Sequence, residues 1–195
     1  MIKNKDRSRY WGASDTSKIV GNWNTKTFME LYLIKLGVSE NNFSNTYLMA
    51  GNAYERRIAQ SLELPLKFDR CIKIPKLRLR VNLDAETKDC IYEIKTHKFT
   101  DKAWKMPIAY WQQCQVQMFA TGKHKCKLVA YPMKDENYEN FFLEVEKDKV
   151  EVFDIEYDEQ WINTEYLPRL KYLTKCLKER KTPNYEEFLK ENNKW

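Results

Sequence analysis

Two carboxylates and a lysine stand close together where the hydrophobic pattern is that of paired strands. Asp84 closes Val81-Asn-Leu-Asp84, and Glu93 and Lys95 follow in Ile91-Tyr-Glu93-Ile-Lys95. Residues two apart on a strand leave the same face, so Glu93 and Lys95 point together. The short polar link Asp84-Ala-Glu-Thr-Lys-Asp89 makes a hairpin, which brings Asp84, at the end of the first strand, beside Glu93. Carboxylates converging next to a cation suit divalent-metal hydrolysis of a phosphodiester. The acids hold a hard cation, and the lysine orients or helps deprotonate a water. The same residues also read as a strand edge with an exposed ion pair. A second Glu-x-Lys, Glu179-Arg-Lys181, lies in a helical pattern. Context separates the two copies, because only the first has Ile91, Tyr92 and Ile94 around it and Asp84 upstream.

These residues need a scaffold, and the composition supplies one. The chain has 195 residues, 43% of them hydrophobic and 14% aromatic, enough to build a core and to exclude wholesale disorder. No apolar run approaches the roughly 18 residues of a membrane span, and the first residues lack the apolar region of a secretory signal. The expected location is therefore intracellular and soluble. Five scattered cysteines with no CxxC pair, and only two histidines, offer neither a disulfide framework nor a zinc site. Any catalytic metal must sit mainly on carboxylates. The net charge of +6 conceals a division. Residues 134–160 hold eleven Asp or Glu against three Lys, a local −8 that leaves +14 elsewhere. The densest basic stretch is 67–80. Each run by itself reads as a solvated face; together they suggest a polarised surface that suits a nucleic-acid partner.

The periodicity predicts helices over 15–20, behind Ser14 as N-cap, over 25–36 and over 47–62. Alternation in twos then predicts strands at 71–74, 77–83 and 90–96. A helix starting at Pro107 runs to about Thr121, strands follow at 127–132, 140–145 and 150–157, and helices at 159–180 and 185–190 close the chain. This order indicates an α/β fold: one domain, 1–195, with a central mixed β-sheet flanked by helices. Its parts are N-terminal helices (1–62), a catalytic core (70–132), and an acidic strand segment with C-terminal helices (133–195).

Four ordered blocks between residues 7 and 122 give the chain a family likeness. They are Arg7-Ser-Arg9-Tyr-Trp-Gly12-Ala-Ser14-Asp, Gly51-Asn-Ala-Tyr54-Glu55, Leu83-Asp84 with Glu93-Ile-Lys95, and Tyr110-Trp-Gln-Gln113-Cys-Gln115-Val-Gln-Met118-Phe-Ala-Thr121-Gly. In this the chain resembles the PD-(D/E)XK nucleases, and among them the branch of lambda exonuclease and the YqaJ-like viral recombinases. It departs from the pattern where Leu83 replaces the usual Pro before the acid and where no Gly follows Asp84.

The resemblance implies a restriction-endonuclease-like core in which Asp84 and Glu93 share the metal with the carbonyl of Ile94. Lys95 is then the catalytic lysine, Glu55 reaches the metal directly or through water, and Gln113 steadies the site. Gln115 and Tyr110 support it, although Gln113 and Gln115 cannot share a helix face whereas Gln113 and Tyr110 can. Arg7 or Arg9 with Ser14 would receive a 5′ phosphate. The implied activity is 5′→3′ exonuclease action on double-stranded DNA ends with Mg²⁺, Mn²⁺ substituting, leaving 3′ single-stranded tails for recombination or repair. No iron–sulfur cluster is expected. A single-strand annealing protein and a homo-oligomer are the implied partners, in a prokaryotic cytoplasm or as a viral protein in its host. Trp11, Trp23 and Trp104 are candidates for stacking on bases or for the core. Two other readings keep the fold: an endonuclease of restriction or repair type, and a non-catalytic DNA-end binding module.

Overall fold

The structure is a computed structural model that describes residues 9–40 and 45–192. Its centre is a six-stranded mixed sheet. The strands are β1 (Trp11–Gly12), β2 (Lys67–Ile74), β3 (Leu79–Glu86), β4 (Cys90–Lys98), β5 (Lys125–Met133) and β6 (Glu151–Glu156). Antiparallel β2 lines β3 from Lys67↔Glu86 to Ile74↔Leu79, with the pairing interrupted at Asp69 and Asp84. The other edge of β3 is shared. Parallel β1 takes Leu79 and Arg80, antiparallel β4 takes Ala85 and Glu86, and Val81–Asp84 between them have neither neighbour. β4 pairs in parallel with β5, and β5 antiparallel with β6.

Helices α1 (Thr16–Val20), α2 (Lys26–Leu36), α3 (Thr46–Ser61), α4 (Ile108–Thr121), α5 (Asp135–Glu139), α6 (159–179, with a π turn at Ile162–Tyr166) and α7 (Tyr185–Asn192) surround the sheet. Alternation along the strands feeds two apolar layers. Leu79, Val81, Leu83, Ile91 and Leu128 pack with α1, α2, α4, α6 and α7. Tyr92, Ile94, Val129 and Tyr131 pack with Ala50, Tyr54 and Ile58 of α3. Trp23 sits in the first layer against Phe28, Tyr172, Tyr185 and Phe188, so it and the fully buried Trp11 are core residues. Helix α2 starts on the Thr25 side chain, which accepts from Phe28 N, and stops at Gly37, whose φ of 80° few other residues adopt. Among the described residues no helix is long and apolar enough to cross a membrane.

The structure corrects three expectations. Ser14 does not cap α1; it lies within a 3₁₀ turn, Ala13–Asp15, and Asp15 precedes the helix. The strand carrying Asp84 runs on to Glu86, which puts Asp84 inside the strand and leaves Thr87–Asp89 as the link. Residues 140–145 form no strand, although Phe141, Leu143 and Val145 do face the second layer while Phe142 is 90% exposed. The carbonyls of this segment are claimed by side chains of α3 instead. Arg57 donates to Leu143 O (2.8 Å) and to Phe141 O, and the Tyr54 hydroxyl donates to Asn140 O (3.2 Å). Alternation thus records one buried side, while the hydrogen bonds decide whether a ladder forms.

Since Arg57 serves two backbone acceptors, Arg57→Ala should cost about 1–3 kcal/mol in urea unfolding and speed hydrogen exchange at 140–145. An unchanged midpoint and unchanged exchange would contradict this account.

Candidate active site

Asp84 opens the site by breaking a ladder. Its Oδ2 accepts the Ile94 N–H at 2.9 Å, a donor that continued β3–β4 pairing would have engaged. The backbone pairing is confined to Ala85↔Tyr92 and Glu86↔Ile91, and the strands part beyond it. Within a strand a residue's N–H and C=O face the same neighbour, so the Ile94 carbonyl also points into the gap. The hairpin tip is pinned by buried Glu86, which accepts from Arg70 and Lys123.

Glu93 is 1% exposed. Lys95 Nζ lies 2.5 Å from Oε1, Gln113 Nε2 also donates to Oε1, and Gln117 Nε2 donates to Oε2. Gln117 also approaches the carbonyl of Asn82 (3.4 Å) on the unpaired edge of β3. Tyr110, Gln113 and Gln117 are spaced i, i+3, i+7, so α4 lays one face along the site. The Lys95 ammonium lies 5.2 Å from the centre of the Tyr110 ring.

Helix α3 covers the other side. An added Cβ on Gly51 would come within 3.1 Å of Thr96 Oγ1, and this close approach lets the helix lie on β4. One and two turns on, Glu55 and Ala59 line a small cleft of about 20 Å³ together with Arg56, Phe68, Asp69, Asp84 and Ile94. That is room for about one water-sized occupant. Electrostatics agree with the crowding. Burial, and then the charges of Glu93 and Glu55, hold the Asp84 carboxyl well above its ordinary value, against the pull of Lys95 and the Ile94 N–H. For Lys95 burial alone would favour the neutral amine, but Glu93 and Asp84 outweigh it and raise the ammonium above the usual lysine range.

The donor set fits a hard divalent cation: two carboxylates, Asp84 and Glu55, and the Ile94 carbonyl at one cleft, with Glu93 adjoining. Among the described residues no three His, Cys, Asp or Glu side chains form a metal cage. Mg²⁺ needs no such cage, since it is commonly held by one or two carboxylates with water and phosphate oxygens completing its shell.

The structure therefore gathers Asp84, Glu93, Lys95, Glu55, Ile94, Gln113 and Tyr110. It takes Gln115 elsewhere. That side chain is fully buried, donating to Glu156 O (2.8 Å) and accepting from Asp158 N (2.7 Å), where it ties β6 to α6. Ser14 is exposed in a turn braced by Asp15 Oδ2, which accepts Gly12 N and pairs with Lys35, each at 2.8 Å. Arg9 is exposed and its carbonyl accepts from Arg78. Arg7 lies outside the described residues. Trp104 stacks on His97 (4.8 Å, 13°) and neighbours Tyr110. Sequence reasoning missed Gln117, although its four-residue spacing from Gln113 was available as a signal.

A hairpin acid, a Glu-x-Lys on the adjoining strand and a covering glutamine helix on a mixed sheet define the PD-(D/E)XK class of nuclease fold. Residues 4–124 match the model of the YqaJ-like viral recombinase domain, and the chain belongs to that family. No curated protein sequence matches it. Among solved structures it is similar to an alkaline exonuclease, LHK-Exo, from Laribacter hongkongensis, at 18% identity and TM-score 0.68 over 97% of this chain and 96% of that one. The same enzyme in complex with dAMP gives 0.67 at 18% identity, over 98% and 97%. A phage-related exonuclease from Haemophilus somnus 129PT gives 0.59 at 16% identity, over 96% and 98%.

The raised Asp84 pKa carries a sign for stability. A carboxyl whose folded value exceeds its ordinary 3.8 favours the fold at low pH and loses that contribution as pH rises through the folded value. Asp84 therefore contributes less to the stability of the metal-free protein at pH 7 than at low pH. Asp84→Asn, which keeps an acceptor for Ile94 N–H, should gain about 0.5–2 kcal/mol at pH 7 in urea unfolding, with the gain shrinking toward pH 4. A loss of stability at pH 7 would refute the assignment.

Proposed function

We propose that the chain is a DNA exonuclease that uses Mg²⁺, or Mn²⁺ in its place, and digests double-stranded DNA from its ends in the 5′→3′ direction. The products are 3′ single-stranded tails for recombination or repair. The observation that carries this reading is the junction of Asp84, Glu93 and Lys95 at an opened ladder, in a chain of the YqaJ-like family. Two structural neighbours are exonucleases, and one has been solved with dAMP, a nucleoside 5′-monophosphate.

Asp84, Glu55 and the Ile94 carbonyl would hold the cation, with Glu93 adjoining. A divalent cation held there would neutralise phosphate charge and acidify the attacking water. Gln113 and Gln117 fix the Glu93 carboxylate through neutral donors, leaving its charge in place. Lys95, protonated beside Glu93 and backed by Tyr110, is positioned to orient that water and to stabilise charge developing on the phosphate. The 5′ phosphate would be received by the block Arg7, Arg9 and Ser14. Following the family resemblance, a single-strand annealing protein would take up the tail, and further copies of the chain are candidate partners.

End-labelled linear duplexes with a 5′ phosphate or a 5′ hydroxyl, and a closed circle, test the reading with and without Mg²⁺. Mononucleotides should be released from the 5′-phosphorylated end only with Mg²⁺, and the circle should survive. Cutting of the circle would replace the exonuclease by an endonuclease. Lys95→Ala should lower turnover by about 10²–10³-fold, the range seen when a group that stabilises transition-state charge is removed, with duplex binding retained; undiminished turnover would move the chemistry elsewhere.

A further inference from the structure

Arg80 stands four residues before Asp84 on β3 and is only 4% exposed. Its guanidinium has one partner among the described residues, Asn82 Oδ1, which accepts from Nε at 3.3 Å, and the buried Nη1 has none. No carboxylate of the described residues is ion-paired with it. Arginine keeps its charge at any working pH, so it cannot escape burial by neutralising, as a lysine can. A buried cation with no counter-charge costs the fold several kcal/mol.

Lys73 is the register partner of Arg80 across β2–β3, so both side chains leave one face of the sheet, and Lys73 Nζ lies 5.7 Å from the centre of the Tyr10 ring. On the other edge Arg80 is in register with Gly12, which leads into the turn bearing Ser14.

We propose that Arg80 is an anion-recognition residue, holding a phosphate of the nucleic-acid strand about 13 Å along β3 from Asp84. Its planar fork of donors matches phosphate oxygens, which would supply the counter-charge that the described residues do not. The proposal deepens the nuclease reading and adds a residue that neither the family blocks nor the metal cleft contains. It covers two sources of one chemistry, a terminal phosphate and an internal phosphodiester.

The test uses the full chain without metal, so that bound DNA stays intact. Thermal melting with inorganic phosphate, against chloride at equal ionic strength, should raise the wild-type Tm but not that of Arg80→Met. Without phosphate, Arg80→Met should melt no lower than wild type, because an uncompensated charge has gone. Its affinity for a 5′-phosphorylated duplex should fall about tenfold or more, with the salt slope reduced by about 1. A loss confined to the phosphorylated end identifies a terminal phosphate, and an equal loss on the 5′-hydroxyl duplex identifies a phosphodiester. Equal phosphate stabilisation of wild type and variant, or wild-type DNA affinity in a variant that melts well below wild type, would overturn the assignment and leave Arg80 a structural residue. Should Arg80→Met not fold, Arg80→Lys decides: it should lose most of the phosphate-induced shift, and an undiminished shift overturns the proposal. A wild-type chain stabilised by phosphate that hydrolyses no DNA would sink the nuclease reading while sparing Arg80; a nuclease indifferent to Arg80 substitution would do the reverse.

Discussion

The hydrogen bond from Ile94 N–H to Asp84 Oδ2 shapes everything around it. A backbone donor that would ordinarily meet a carbonyl across the ladder meets a side-chain carboxylate instead. The donor stays satisfied, yet the strands separate. That separation leaves Val81–Asp84 without a neighbour on one edge, turns the Ile94 carbonyl toward the gap, and lets Gln117 reach between the strands to Asn82 O. Closing the gap with a regular ladder would bury the same residues and remove the cleft. The site is thus a local sacrifice of sheet pairing, held in shape by the pairing on either side of it, with β2 along β3 before and after Asp84 and β5 along β4.

The second constraint is charge. Among the described residues Asp84 feels the charges of both Glu93 and Glu55, and Lys95 is paired with Glu93. Arginines at the positions of Gln113 and Gln117 would satisfy Glu93 and stabilise the metal-free fold, but they would also cancel the field that attracts a cation. Neutral amides orient the carboxylate without discharging it. Burial first and the neighbouring carboxylates second raise the Asp84 carboxyl, and Glu93 and Asp84 raise the Lys95 ammonium against burial. Stability is forgone at the place where a divalent ion would restore it.

Much of this was legible in the sequence because the periods are local. Strand alternation put Glu93 and Lys95 on one face, and helical spacing separated Gln115 from Gln113 and joined Tyr110 to it. Gly51 and Glu55 read as a block for a reason the fold supplies: a side chain at Gly51 would press on Thr96 Oγ1, and glycine lets the helix carrying Glu55 lie close on β4 without that crowding. What stayed hidden depends on partners distant in the chain. Residues 140–145 alternate like a strand, yet their carbonyls go to Arg57 and Tyr54, some 80 residues earlier, and no pattern within the segment announces this. Gln115 sits among functional-looking glutamines and serves β6 and α6. Asp84 as the last residue of its strand was the natural reading of a polar link, and only the pairing of Ala85 and Glu86 with β4 shows that the strand continues.

Strand β3 also explains why a modest net charge was a poor guide. Leu79, Val81 and Leu83 point into one apolar layer, while the alternate positions carry Arg80, Asn82 and Asp84. A cation with no ion-paired carboxylate among the described residues and a crowded acid therefore stand at two places on one strand, about 13 Å apart. A free ion could satisfy one of them and not the other. On the proposed reading, a polymer of phosphates with a cation beside it would satisfy both, with one phosphate on the guanidinium and another at the ion beside the acid. The two local defects in stability become complementary once a single ligand spans them, and the rigid pairing of β3 with β2 keeps their separation fixed.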